Sequence, residues 1–158
     1  MVVGAVGRAA IIALVAITIL LAVVMRNLRD CLLVLLPLVL AALFTNAVSV
    51  LANMPFNFAN VIVLPLLVGL GVASGIHLVS RARDEPRETT LMETSTPRAV
   101  ILSALTTVGS FGSLAVSSHR GTASMGELLT IAITLTLVCT LVVLPALMAW
   151  LNGARERG

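Results

Sequence analysis

The 158-residue chain has no lysine and no tyrosine, and only 11% of its side chains are charged. Those charges avoid three long stretches, residues 31–54, 57–79 and 128–151, none of which contains Asp, Glu, Lys or Arg. A soluble fold needs polar residues enough to cover its core, and the residues outside the apolar stretches are too few to build that cover. An ordinary soluble domain is therefore excluded. The side-chain groupings of enzymes are missing as well. There is no His, Cys and Asp cluster at ligand spacing, no phosphate-cradling loop before a Lys and no nucleophile elbow. Gly69 and Gly71 lie inside an apolar run with no strand before them, so they form no dinucleotide loop. The two cysteines, Cys31 and Cys139, have no metal-like spacing and read as small apolar residues of a helix bundle, with no disulfide expected. No enzymatic activity and no cofactor are expected.

What is present is apolar: 59% of the residues, with a mean hydropathy of +1.11. A hydrocarbon core of about 30 Å needs roughly 20 mainly apolar residues of helix, and the three charge-free stretches each reach that length. Two more, residues 9–25 and 99–118, reach it once flanking residues snorkel. The chain thus reads as an all-α, polytopic membrane bundle of five transmembrane helices, a single membrane domain over residues 1–158. The helices are expected at about 5–25, 31–53, 58–80, 97–118 and 124–151, with one mixed-charge cytoplasmic linker at about 81–95. Arg8 followed by an apolar run resembles a signal peptide, but no small-residue cleavage site precedes Arg26, and the segment reads as a retained helix. Pro55 ends the second helix and Asn57 is placed to cap the third, while Thr96-Pro97 reads as a cap followed by a helix-starting proline.

All ten basic residues are Arg, and their distribution orients the chain. With the amino terminus outside, Arg26, Arg29, Arg81, Arg83, Arg87, Arg98, Arg155 and Arg157 fall on the cytoplasmic side, and only Arg8 and Arg120 fall opposite. The net charge of +3 reports this topology and is no sign of nucleic-acid binding. Trp150 stands where an interfacial anchor would. A chain that must export its own start reads as a piece of something longer.

Two spans carry unusual side chains. In the third, Gly71 and Gly75 stand four apart, as do Gly69 and Ala73, leaving two strips on which a neighbouring backbone can approach. Close helix packing is the favoured reading, with a helix that moves against its neighbours as the sharper one. In the fourth, Ser103, Thr106, Thr107, Ser110, Ser113, Ser117 and Ser118 intersperse with Gly109 and Gly112. Hydroxyls can bond a carbonyl one turn back, which favours packing, but Thr106 with Ser110, or Thr107 with Ser103, would line a conduit if water enters. His77 is the only titratable side chain well inside a span, a relay candidate by its place and an interfacial group by its nearness to Arg81. Glu127 reads as an end charge. No Asp or Glu lies at membrane depth, which counts against a self-contained proton-driven carrier.

The order of these residues resembles a known family. The run Asn57-Phe58-Ala59-Asn60 through Leu64-Pro65, then Gly69-Leu70-Gly71-Val72 and Gly75-Ile76-His77, looks like the Gly-rich central helix of the resistance-nodulation-division superfamily. Ser103 through Ala115 with Thr106-Thr107 and Gly109-Ser110-Phe111-Gly112, then Gly121 through Gly126 and Val143-Leu144-Pro145-Ala146-Leu147, resembles the last two helices of its large lipid-exporter branch. The match is strongest to hopanoid transporters. The resemblance implies the carboxyl-terminal five-helix portion of a proton-driven permease for lipid or hydrophobic cargo, possessing a dozen spans and two large periplasmic domains. It also implies a bacterial inner membrane location, a periplasmic amino terminus, and as partners the bilayer, the cargo and a missing amino-terminal half or other membrane subunit. Many members place an Asp in the stretch corresponding to Ala73-Ser74-Gly75, and here all three are uncharged. Ser74, Thr106 and Thr107 would then support a relay carboxylate supplied by the missing half. The alternative is a membrane scaffold or decayed remnant that packs and moves nothing.

Overall fold

The computed structural model describes residues 2–25, 27–54, 63–84 and 95–155. Among these residues five helices follow one another: α1 (Val2–Met25), α2 (Leu28–Leu51), α3 (Val63–Asp84), α4 (Ser95–Ala115) and α5 (Arg120–Arg155). No strand occurs among the described residues. The all-α bundle expected from the sequence holds, because in hydrocarbon the backbone can satisfy its polar groups only within helices or a closed barrel. Among the described residues, Leu28–Leu51, Pro65–Asp84, Ser95–Ala115 and Arg120–Leu151 are long and apolar enough to cross a membrane. The 24-residue α1 carries Arg8 as its single charge and is about 36 Å long at the usual helical rise.

The helix ends differ from expectation by a few residues, and local bonds explain most of the shifts. α2 starts at Leu28, ahead of 31, because the Asn27 carbonyl accepts from the Asp30 and Cys31 amides at 3.2 and 3.3 Å. It stops at Leu51: Asn53 takes a left-handed φ of 49°, and the Met54 amide donates back to the Ser49 carbonyl at 3.0 Å, a helix stop that Asn tolerates. α4 starts at Ser95, so Pro97 is a buried first-turn residue, where its missing N–H costs no helical bond. It ends at Ala115, before 118, and the His119 amide donates to the Ser117 hydroxyl at 3.3 Å. The His119 carbonyl then accepts from the Ala123 amide at 2.9 Å, which starts α5 at Arg120, four residues early. α3 is described from Val63, its expected start at 58 lying outside the described residues, and it continues through Asp84, past the expected end at 80, so the linker side chains Arg81 and Arg83 belong to its last turn. The turn expected at Pro55, the cap expected at Asn57, and linker residues 85–94 lie outside the described residues.

α3 touches all four other helices, and α5 packs along α2, α3 and α4. The shared core comprises Leu21 and Met25 of α1, Val34 and Leu38 of α2, Leu67, Leu78 and Val79 of α3, and Leu129 and Leu144 of α5. α4 is the most exposed of the four spans, with Pro97 and Val100 its buried residues. The 36-residue α5 is about 54 Å long, so it tilts or extends beyond the hydrocarbon. Trp150, near its end, is 70% exposed, as an interfacial side chain should be.

Glycine decides where the backbones meet. A Cβ at Gly75 would lie 2.7 Å from Val34 Cγ1, and one at Gly71 would fall against Leu38 and lie 3.0 Å from Thr136 Cγ2. Successive turns of antiparallel α2 and α3 thus interlock, Val34 at Gly75 and Leu38 at Gly71. Further along the same seam Asp30, 9% exposed in the first turn of α2, forms an ion pair with Arg83 in the last turn of α3. Each charge also sits at the helix end whose dipole favours it. Gly69 and Gly109, expected to serve packing, have nothing within 4 Å of an added Cβ, and Gly112 meets Thr130 Oγ1 at an ordinary 3.7 Å. Gly126, which spacing did not single out, is the tightest against backbone: its Cβ would lie 2.6 Å from the Ala115 nitrogen and 2.8 Å from the Phe111 oxygen.

Gly71→Leu and Gly75→Leu are expected to lower thermal stability in detergent through overpacking, by about 1–3 kcal/mol each. Gly69→Leu and Gly109→Leu, facing open space, should leave it unchanged. Melting curves that do not separate the two pairs would contradict this packing.

Candidate functional site

Where α3, α4 and α5 meet, the packing leaves a cavity of about 40 Å³. Its wall repeats one spacing on each helix: Leu67, Leu70 and Ser74 from α3, Val100, Ser103, Ala104 and Thr107 from α4, and Ile133, Thr136, Leu137 and Thr140 from α5. Positions three or four apart share a helix face, so each helix presents a single stripe to the same space. Five hydroxyl side chains therefore converge among aliphatic ones. A water needs roughly 10–15 Å³ of such volume, so the cavity suits a few waters or the polar tip of a larger molecule.

Three of the five hydroxyls are anchored to their own helices. Ser74 Oγ donates to the Leu70 carbonyl at 3.1 Å, Thr107 Oγ1 to the Ser103 carbonyl at 2.8 Å and Thr136 Oγ1 to the Ala132 carbonyl at 2.7 Å. This back-bonding is how a hydroxyl avoids an unsatisfied proton in an apolar medium. No charged side chain lines the cavity, so its own residues can orient a polar group but supply no acid or base. Among the described residues no three His, Cys, Asp or Glu side chains come together as a metal site would require.

The relay candidates read from the sequence divide into two sets. Ser74 and Thr107 face the cavity together, with Ser103 beside Thr107. Thr106, Ser110 and His77 do not line it and are exposed on the bundle surface. The first two bond along α4, Thr106 Oγ1 to the Leu102 carbonyl at 2.8 Å and Ser110 Oγ to the Thr106 carbonyl at 3.0 Å, and the Ser113 hydroxyl continues the line to the Ser110 carbonyl at 2.6 Å. Among the packing glycines, Gly71 lies one helical turn from Ser74 and sets the distance of Thr136 from α3. Sequence reasoning missed Thr136 and Thr140, which are 7% and 4% exposed. Their signal was available as the second of two i, i+4 threonine pairs, Thr130 with Thr134 and Thr136 with Thr140, in a span that is otherwise apolar.

Residues 3–157 match the MMPL family. The chain is 44% identical over 151 residues to the hopanoid transporter HpnN of Rhodopseudomonas palustris (strain TIE-1), covering 96% of this chain and 17% of that protein. It is 43% identical over 141 residues to the hopanoid transporter HpnN of Burkholderia multivorans (strain ATCC 17616 / 249), covering 89% of this chain and 16% of that protein. A membrane protein of Methanocaldococcus jannaschii is 31% identical over 145 residues, with 86% of this chain and 37% of that protein covered. The chain therefore spans less than a fifth of either transporter's length.

If Ser74 and Thr107 border one space, a bulky thiol adduct at either should shield the other. In a background lacking Cys31 and Cys139, Ser74→Cys labelling by a methanethiosulfonate reagent should slow when position 107 carries an adduct and stay unchanged when position 106 does. Equal protection from 106 and 107 would contradict the shared cavity.

Proposed function

Because this chain belongs to the MMPL family, we propose that it is a membrane module of an export permease for lipids or other hydrophobic compounds, with hopanoids the favoured cargo. The observation that carries this reading is the 44% identity to a hopanoid transporter across 96% of the chain. Since the chain corresponds to only 17% of that relative's length, the module acts with further parts, an amino-terminal membrane half or a separate subunit, that collect the cargo and pass it on.

Export against a gradient needs an energy source, and the proton gradient serves it in this reading. The stretch Ala73-Ser74-Gly75 offers no carboxylate, so the protonatable group comes from the partnering part. Ser74 and Thr107 then orient it from the cavity, while Thr106, Ser110 and His77, exposed on α4 and α3, stand ready for a neighbouring helix. The arginine distribution supports a periplasmic amino terminus and a cytoplasmic carboxyl terminus, and the similarity to bacterial hopanoid transporters supports an inner-membrane location. The charged seam at Asp30 and Arg83 then lies at the cytoplasmic face, where water and headgroups solvate its exposed side.

The test is transfer of cargo from the inner to the outer membrane in cells lacking their own exporter. The chain supplied with the remaining parts of a hopanoid transporter should restore transfer, and neither should do so alone. Ser74→Ala combined with Thr107→Ala should lower the restored rate severalfold without changing the amount of protein in the membrane. Absence of transfer despite normal membrane levels would defeat the export reading and leave a scaffold that packs and moves nothing.

A further inference from the structure

The cavity hydroxyls narrow the chemistry of what can occupy that space. Ser74, Thr107 and Thr136 have each committed their proton to a carbonyl of their own helix, at 3.1, 2.8 and 2.7 Å. What these three oxygens retain for an occupant is lone pairs. Ser103 and Thr140, the other two hydroxyls of the wall, make no such bond and keep a proton to donate, and the remaining side chains are aliphatic, with no carboxylate and no basic group. A bare cation would lose its hydration there with no counter-charge to replace it, and an anion would meet the same lone pairs with two neutral O–H donors at most and no cation beside them. A neutral hydroxyl carried on an apolar body donates to one of the three oxygens, can accept from Ser103 or Thr140, and leaves its hydrocarbon against the aliphatic wall. Volume restricts it further, since about 40 Å³ admits a polar tip and excludes a bulky head. The site is built on a fixed side chain, because Thr136 is 7% exposed and held by its own bond. It is also reachable, because Ser103 and Leu70 on its border are exposed at the bundle surface.

The geometry points to a binding site for the hydroxyl group of an apolar alcohol, entering from the surrounding lipid. Its O–H donates to the oxygens of Ser74, Thr107 or Thr136, and its hydrocarbon body runs along Leu70 toward the bundle surface. This deepens the export reading, on which it rests for taking the cavity as a place where cargo is met. The donor requirement itself follows from the three hydrogen bonds.

A long-chain alcohol with a photoreactive diazirine close to its hydroxyl provides the probe, applied to the purified chain in lipid nanodiscs. Dodecanol and methyl dodecyl ether serve as competitors, alike in hydrocarbon character but with only the first able to donate. Label is expected in the segments 67–74 and 133–140, with dodecanol displacing it roughly fivefold better than the ether, as one hydrogen bond would give. Thr136→Val should erase that preference. Thr107→Val, at a half-buried position where the shape change is small, should weaken it while leaving thermal stability near that of the parent. Equal displacement by the two competitors, label confined to other segments, or a preference that survives both substitutions would overturn the proposal. A cavity that holds water alone gives no competable label and overturns it too. Labelling requires no transport, so its failure leaves the export reading in place, and failed export with a competable label removes export while keeping the site.

Discussion

Val34 and Leu38 of α2 reach into the places where Gly75 and Gly71 of α3 have no side chain, and the geometry of the remaining helices depends on that approach. Lipid tails are as apolar as leucine, so helices in a bilayer gain little from hiding apolar surface and hold together by close contact. The same Gly71 lies beside the methyl of Thr136, which brings α5 to α3 at a set distance. Gly126 then lets α5 lie directly on the backbone of α4 near Phe111 to Ala115. The cavity lies at the level of the Gly71 contact with Thr136, where α3, α4 and α5 meet. Asp30 and Arg83 close the seam at the other end, where charges can meet headgroups and water.

Hydroxyls are the second element of the design. In water a serine or threonine side chain is inexpensive anywhere, but in hydrocarbon its proton must find an acceptor. The carbonyl one turn back supplies one at Thr45, Ser74, Thr106, Thr107, Ser110, Thr130, Thr134 and Thr136. Once the proton is placed, the oxygen remains an acceptor on the helix surface. Polarity is therefore tolerated inside the membrane while a directed chemical preference is kept, and that preference links the packing of α3, α4 and α5 to a role in handling hydrophobic cargo with a polar end.

Much of the architecture was legible in the sequence because membrane helices are written in charge-free length, a signal that needs no partner to interpret. The five helices and the close approach at Gly71 and Gly75 came from that signal and from residue spacing. Gly69 and Gly109 show where spacing fails: their small size is the same, but they face open space, and only the position of neighbouring helices decides which strip is used. Asp30 and Arg83 are 53 positions apart in the chain, and their pairing required the antiparallel register of α2 and α3. Three of the five cavity hydroxyls were visible, as Ser74, Ser103 and Thr107. Thr136 and Thr140 escaped because an i, i+4 pair of threonines in a long apolar helix carries no sign of the space it faces until two other helices lie against it. The early start of α5 depends on the His119 carbonyl, a backbone event with little residue-type signature.

The most direct test of this account is disulfide trapping in native membranes, in a background without Cys31 and Cys139. Val34→Cys paired with Gly75→Cys should cross-link quickly under mild oxidation, because those positions meet across the α2–α3 seam. Val34→Cys paired with Ala73→Cys, which points to the exposed side of α3, should not. Comparable cross-linking of both pairs, or faster linkage to position 73, would mean that α3 lies on α2 by another face, and the cavity described between α3, α4 and α5 would not exist in the membrane.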